Sequence, residues 1–141
     1  MHDLEETEGV LIGSGSYFVR LKRLATPYGD DHFTSVLIKA HAGPFQANLR
    51  DDSFDNFKAF HSQLNAIYKY LSGSAELCSY EKFTLTMTAR RGDVSVCVKL
   101  VDSGMQQSKL SFKFLIDQSF LPKIIRDFEN EFLNGEKPTR S

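Results

Sequence analysis

Between Lys82 and Ile116 the apolar residues fall on every second position, three times over. Phe83, Leu85, Met87 and Ala89 alternate with Thr84, Thr86 and Thr88. After Arg90-Arg91-Gly92-Asp93 the alternation resumes at Val94, Val96, Val98 and Leu100, and it returns at Leu110, Phe112, Phe114 and Ile116. Successive side chains of a strand point to opposite sides of a sheet, so this pattern demands strands with one buried face. It also sets a register. Pairing Ala89 with Val94 brings Met87, Leu85 and Phe83 opposite Val96, Val98 and Leu100. Pairing Leu100 with Leu110 brings Val98, Val96 and Val94 opposite Phe112, Phe114 and Ile116. A slip of one residue would turn one strand's apolar set to water. The expectation is an antiparallel three-strand meander whose apolar face the rest of the chain must cover.

Upstream, Val10 to Ile12 suits a short edge strand, and Gly13-Ser14-Gly15-Ser16 a turn. Tyr17, Val19 and Leu21 alternate with Phe18, Arg20 and Lys22 in a strand that ends in a loop from Thr26 to Asp31. Phe33 to Ala40 reads as the next strand, His41-Ala42-Gly43-Pro44 as a turn, and Phe45, Ala47 and Leu49 as the inward positions of a third strand. After Asp51-Asp52-Ser53 the spacing changes. Phe54, Phe57, Phe60, Leu64, Ile67 and Leu71 recur every three or four residues, the stripe of an amphipathic helix. Asp52 or Ser53 is the expected N-cap and Gly73 the expected left-handed C′ residue. Ser74 to Tyr80 is a short strand. Asp117-Gln118-Ser119 opens a second helix with Pro122 in its first turn, a stripe of Leu121, Ile124, Ile125, Phe128 and Phe132, and Asn134-Gly135 at its end. The chain thus reads as α+β: a mostly antiparallel sheet of six to seven strands in the order βββαββββα, with two amphipathic helices on one face. Residues 1–141 are expected to form a single domain, with the acidic lead-in 1–8 and the tail 136–141 disordered.

Composition removes several classes of function. Seventeen basic residues against eighteen acidic ones leave a net charge of −1, without the electrostatic footprint of a nucleic-acid binder. The start, Met1-His2-Asp3-Leu4-Glu5-Glu6, lacks the basic and apolar regions of a secretory signal, and no apolar run is long enough to cross a bilayer. Two cysteines, Cys78 and Cys97, do not make a disulfide framework. A cytoplasmic location with reduced thiols is expected.

No catalytic constellation emerges. His2, His32, His41 and His61 form neither an HxxxH nor an HExxH pair, and His32 and His41 lie at opposite ends of one strand, too far apart to share a metal. Cys97 sits on the outer face of the meander opposite Thr86, with no histidine expected nearby to activate it. Gly13-Ser14-Gly15-Ser16 lacks the Gly-Lys-Ser/Thr of a phosphate loop and leads into a strand. Asp30-Asp31 and Asp51-Asp52 are carboxylate pairs in predicted loops, where solvation or capping is the ordinary role and a raised pKa is not expected. The outer face of the meander shows Thr84, Thr86, Thr88, Ser95, Cys97, Lys99, Ser111 and Lys113. It carries no aromatic residue on which a base would stack, so it reads first as a solvated face and, if it binds at all, as one for a protein before nucleic acid. Neither a cofactor nor a metal is expected.

Three stretches carry a family resemblance. Phe57-Lys58-Ala59-Phe60-His61-Ser62-Gln63-Leu64, the helix end Tyr70-Leu71-Ser72-Gly73-Ser74-Ala75-Glu76-Leu77, and Leu110 to Leu121 with its Phe114-x-x-Asp117-Gln118-Ser119-x-Leu121 motif resemble the WapI-type family of small bacterial immunity proteins. The similarity extends from about Tyr17 to Leu133. It implies a non-enzymatic protein that binds the toxic C-terminal domain of a contact-delivered toxin and blocks it in the cytoplasm. The resemblance brings no site residues with it, because these motifs belong to the fold.

A second class remains open on the residues alone: a small ligand-binding or regulatory domain using the space between sheet and helices. For a protein partner, topology nominates an acidic edge. An antiparallel meander places the Asp30-Asp31 loop and the Asp51-Asp52 corner at one end of the sheet, with Asp55 one turn into the helix. Asp30, Asp31, Asp51, Asp52 and Asp55 would then steer a basic toxin domain. The bland reading is that the loop is solvated and the others cap the helix.

Overall fold

A computed structural model of the chain describes residues 9–24, 34–80, 82–102 and 108–133. Among these residues eight antiparallel strands form two four-stranded sheets, each running in chain order. The first holds β1 (Val10–Ser14), β2 (Tyr17–Leu24), β3 (Thr34–Ala42) and β4 (Phe45–Phe54). The second holds β5 (Gly73–Cys78), β6 (Phe83–Arg90), β7 (Asp93–Asp102) and β8 (Ser108–Asp117). Helix α1 (Phe57–Tyr70) joins the sheets. Helix α2 (Leu121–Phe128) follows β8 through a 3-10 turn, Gln118–Phe120, and runs on into a π turn, Glu129–Leu133.

The α+β class and the antiparallel pairing stand, but one sheet of six to seven strands becomes two sheets of four. Alternation shows which face of a strand is buried and not which edges meet. Here the chain leaves β4 for α1, which packs on β5, and α2 in turn packs on α1 and β1. The two helices therefore bridge two sheets instead of lying on one face of a single sheet.

The meander adopts the expected register. Ala89 pairs with Val94, Phe83 with Leu100, Leu100 with Leu110 and Val94 with Ile116. Arg91 and Gly92, both left-handed at φ 49° and 94°, make the two-residue β6–β7 turn whose twist matches that of the flanking strands. Arg90 pairs with Asp93 across it.

At the end of β4 the structure departs from expectation. Asp51, Asp52 and Ser53 belong to the strand, not to a loop or a helix cap. Val36 pairs with Asp51 and Thr34 with Phe54, so Asp52 and Ser53 together face Ser35 in a β-bulge. The extra residue restores the inward direction, and Phe54 points into the core, where it is fully buried. Asp51 holds the bulge: its Oδ1 accepts from the Ser53 amide at 2.9 Å and from Ser53 Oγ at 2.6 Å. The helical spacing therefore begins at Phe57. Asn56 is the N-cap residue of α1, and its side chain makes no capping bond. Its amide serves β5 instead, donating to the Glu76 carbonyl at 3.1 Å and accepting from the Cys78 N–H at 3.4 Å. At the other end Leu71 (φ 58°), not Gly73, is the left-handed residue that closes α1, its N–H bonding the Ile67 carbonyl.

The second helix follows its sequence pattern. Asp117 Oδ2 accepts from the Ser119 amide at 2.9 Å, Pro122 lies in the first turn, and the whole predicted stripe is buried. Phe57 stacks on Phe132 with ring centroids 4.4 Å apart, and Phe60 meets Phe128 edge-on at 5.2 Å. His61 Nε2 lies 2.7 Å from Glu129 Oε2, tying α1 to the π turn, while Glu131 Oε2 accepts from the Arg23 amide at 2.7 Å. One continuous core results, shared by both sheets and both helices.

It thins at β8. Phe112 and Phe114 face inward yet are only half-buried, each with its ring centroid 6.5 Å from that of Tyr17. Gly13 lets β1 pass close to Phe114, for a Cβ there would lie 2.7 Å from the ring. The predicted disorder of 1–8 and 136–141, the loop from Thr26 to Asp31 and the Asn134-Gly135 stop lie outside the described residues.

Candidate functional site

The nominated carboxylates do not stand alike. Leu24 pairs with Ser35 and Thr34 with Phe54, so the β2–β3 connection and the end of β4 do share one end of the first sheet. Asp30 and Asp31 themselves lie outside the described residues. Asp51 is 3% exposed and spent on the bulge, so its carboxylate offers a partner nothing. Asp52 is exposed, accepts from Ser35 Oγ at 2.8 Å and lies 3.6 Å from Arg50 Nε. Asp55 is exposed just before α1, not one turn inside it. Among the described residues the acidic end is therefore Asp52 and Asp55.

Cross-strand rows define the outer faces. On the second sheet Thr84, Lys99 and Ser111 form one row, Thr86, Cys97 and Lys113 the next, and Thr88, Ser95 and Leu115 a third. Lys99, Lys113 and Leu115 are exposed and the threonines half-buried. The face is polar, as its pattern implied.

The outer face of the first sheet is different, and the sequence reading did not assemble it. Its rows are Phe18, His41 and Gln46; then Leu11, Arg20, Lys39 and Asn48; then Lys22, Leu37 and Arg50. Alternation had exposed two of these strands, at Phe18-Arg20-Lys22 and Gln46-Asn48-Arg50. The middle strand read as a contiguous Val36-Leu37-Ile38 core flanked by polar positions, which assigned none of the three to an outer face. The usable signal was Lys39 and His41, two and four residues after Leu37, which put Leu37 on the face turned away from Val36 and Ile38.

The Cys78 thiol is a poor nucleophile. Cys78 has its pKa pushed up by burial first, and then by the neighbouring Glu76 and Asp55 carboxylates. A raised pKa depletes the thiolate at neutral pH. Asp117 is shifted the other way, its carboxyl held below the usual carboxylate range by hydrogen bonds from the Ser119 side chain and backbone. That is the signature of a cap and not of a general acid. Among the described residues no three His, Cys, Asp or Glu side chains are placed to hold a metal ion. None of the helices described is long and apolar enough to cross a membrane.

Between helices and sheets the described residues form one cluster of buried apolar side chains. Recesses lie at the rim, as open grooves. One runs between β4 and the β7–β8 hairpin, lined by Phe45, Ala47, Leu49, Leu100 and Leu110, and another is lined by Tyr68, Gly92, Ser119 and Pro122. The arrangement offers charged and polar faces for contact with another macromolecule.

The chain belongs to the Immunity protein WapI-like family, whose family model matches residues 10–134 and so spans both sheets and both helices. No curated protein and no solved structure matches the chain.

Proposed function

We propose that this protein neutralises a toxin by binding it: the partner is the C-terminal domain of a contact-delivered bacterial toxin, held in the cytoplasm, and no reaction is catalysed. The observation that carries this reading is membership of an immunity-protein family across nearly the whole described fold. The chemistry supports it. Cys78 is poorly activated, Asp51 stabilises a bulge and Asp117 a cap. The acidic end of the first sheet, Asp52 and Asp55 with Asp30 and Asp31 of the adjoining connection, is proposed as one part of the contact, attracting basic residues of the toxin domain.

The test is co-expression with the C-terminal domain of the toxin encoded beside this chain, followed by co-purification of the two proteins. The expected result is restored growth and a stable complex. Growth arrest despite full expression of the soluble chain, with no complex recovered, would remove this function.

A further inference from the structure

The outer face of the second sheet carries its positive charge to one side. Lys99 on β7 stands opposite Ser111 on β8, so Lys109 and Lys113, two residues either way from Ser111, are its diagonal neighbours. Diagonal neighbours on one face lie about 7–8 Å apart, within about one Debye length, so the three fields add. All three side chains are exposed, and none makes an ion pair or a hydrogen bond among the described residues. Thr84, Thr86, Cys97 and Ser111 fill out the rows of Lys99 and Lys113 on β6, β7 and β8, and none of them carries a balancing charge. The carboxylate that shares a row with Lys113 is Glu76 on β5, three strand spacings and so about 14 Å away, where salt screens it. Asp55 lies on that same acidic side, for the next residue, Asn56, hydrogen-bonds Glu76 and Cys78 of β5. One row beyond Lys113, Leu115 is 64% exposed, and it shares a recess with Phe120, 53% exposed.

We propose that the outer face of β7 and β8 is the docking surface for an acidic patch on the toxin domain, steered by Lys99, Lys109 and Lys113 and anchored on Leu115. The proposal rests on the toxin-binding reading and extends it from the carboxylates at the end of the first sheet, across β5, to the lysines of the second. Ammonium groups with no carboxylate of their own receive an acidic occupant without first giving up an ion pair, and that complementarity speeds encounter. Lysines suit the wet rim of an interface, and an exposed apolar side chain its dry centre. Lysines on an edge strand also deter one sheet from pairing with another, and β8 is such an edge. Lys99, however, lies on β7, an interior strand, where that role does not apply. Single-stranded nucleic acid, the other polyanion, stacks successive bases on aromatic rings. The rows of this face hold no ring, and Phe120 stands alone beyond the end of β8. With Glu76 and Asp55 on one side and the lysines on the other, the face is bipolar, and a bipolar partner settles on it in one orientation.

The experiment measures association and dissociation of the full chain with the purified C-terminal domain of the toxin encoded beside it. Lys99→Glu with Lys113→Glu should slow association by roughly tenfold at low salt, with the difference shrinking as salt is added. The milder pair Lys99→Gln with Lys113→Gln should show a smaller loss in the same direction, and keeps the test open if charge reversal upsets folding. Leu115→Ser should speed dissociation. Lys39→Glu, on the outer face of the first sheet, should change neither rate. A loss there equal to that of Lys99→Glu alone would mean that net charge and not this face sets the rate, and would overturn the proposal. Unaltered kinetics in the folded Lys99/Lys113 variants would overturn the surface while leaving toxin binding intact. Failure of the unaltered chain to bind would overturn both. Binding of single-stranded RNA by the unaltered chain, or its self-association, lost in these variants, would give the face another occupant and overturn the proposal.

Discussion

Phe54 and Phe83 meet ring to ring across the junction of the two sheets, centroids 5.6 Å apart and planes tilted by 51°. Phe54 ends β4 in the first sheet and Phe83 begins β6 in the second, and both are within 2% of complete burial. Truncating either ring opens a cavity between the sheets. Phe83→Ala should cost ~3–5 kcal/mol. Phe112→Ala, on half-buried β8, should cost distinctly less, and Thr86→Ala on the outer face little. Chemical denaturation of the three variants checks the order. Equal losses at Phe83 and Thr86 would mean that the faces are misassigned.

Asp51 and Asp52 are adjacent carboxylates with opposite fates, and mutation should separate them. Asp51→Ala strips the bulge of the acceptor for the Ser53 amide and hydroxyl, and should cost about 1–3 kcal/mol. Asp52→Ala removes an exposed acceptor and should shift the denaturation midpoint little. The comparison is a pair of urea titrations.

Asp117 gives the fold one acid-sensitive joint. Its folded pKa is depressed, so its contribution is present above the ordinary carboxylate pKa and is lost as pH falls through the lower, folded value. Asp117→Asn keeps an acceptor oxygen but removes the charge. Its denaturation midpoint should differ from that of the unaltered chain at neutral pH, and the difference should close in acid. A gap that persists well below the carboxylate range would show that Asp117 acts otherwise than as an ionised cap.

If the acidic end meets basic residues of the toxin domain, Asp30→Asn with Asp31→Asn should slow association. The effect should be greatest at low ionic strength, with stability nearly unchanged. Stopped-flow mixing at two salt concentrations reads this directly. Indifference at low salt would place the contact elsewhere.

The sequence by itself determined the strands, the faces and the register of the β6–β7–β8 meander. A strict period of two over Phe83, Leu85, Met87, Val94, Val96 and Val98 leaves one register in which apolar meets apolar. It likewise determined the second helical segment, whose 3-10 entry capped by Asp117, first-turn Pro122 and buried stripe are all local signals. Only the tertiary structure decided the rest. The break into two sheets depends on where α1 packs, a long-range choice that alternation does not encode. The β4 bulge depends on Phe54 having to reach Phe83, and it turned an expected cap and solvent-facing acid into a strand with a buried Asp51. The outer face of the first sheet exists only because three strands bring Lys22, Leu37 and Arg50 into one row and Phe18, His41 and Gln46 into another. Period-two patterns declare which way each side chain points. Which side chains become neighbours is settled by the packing that chooses the partners.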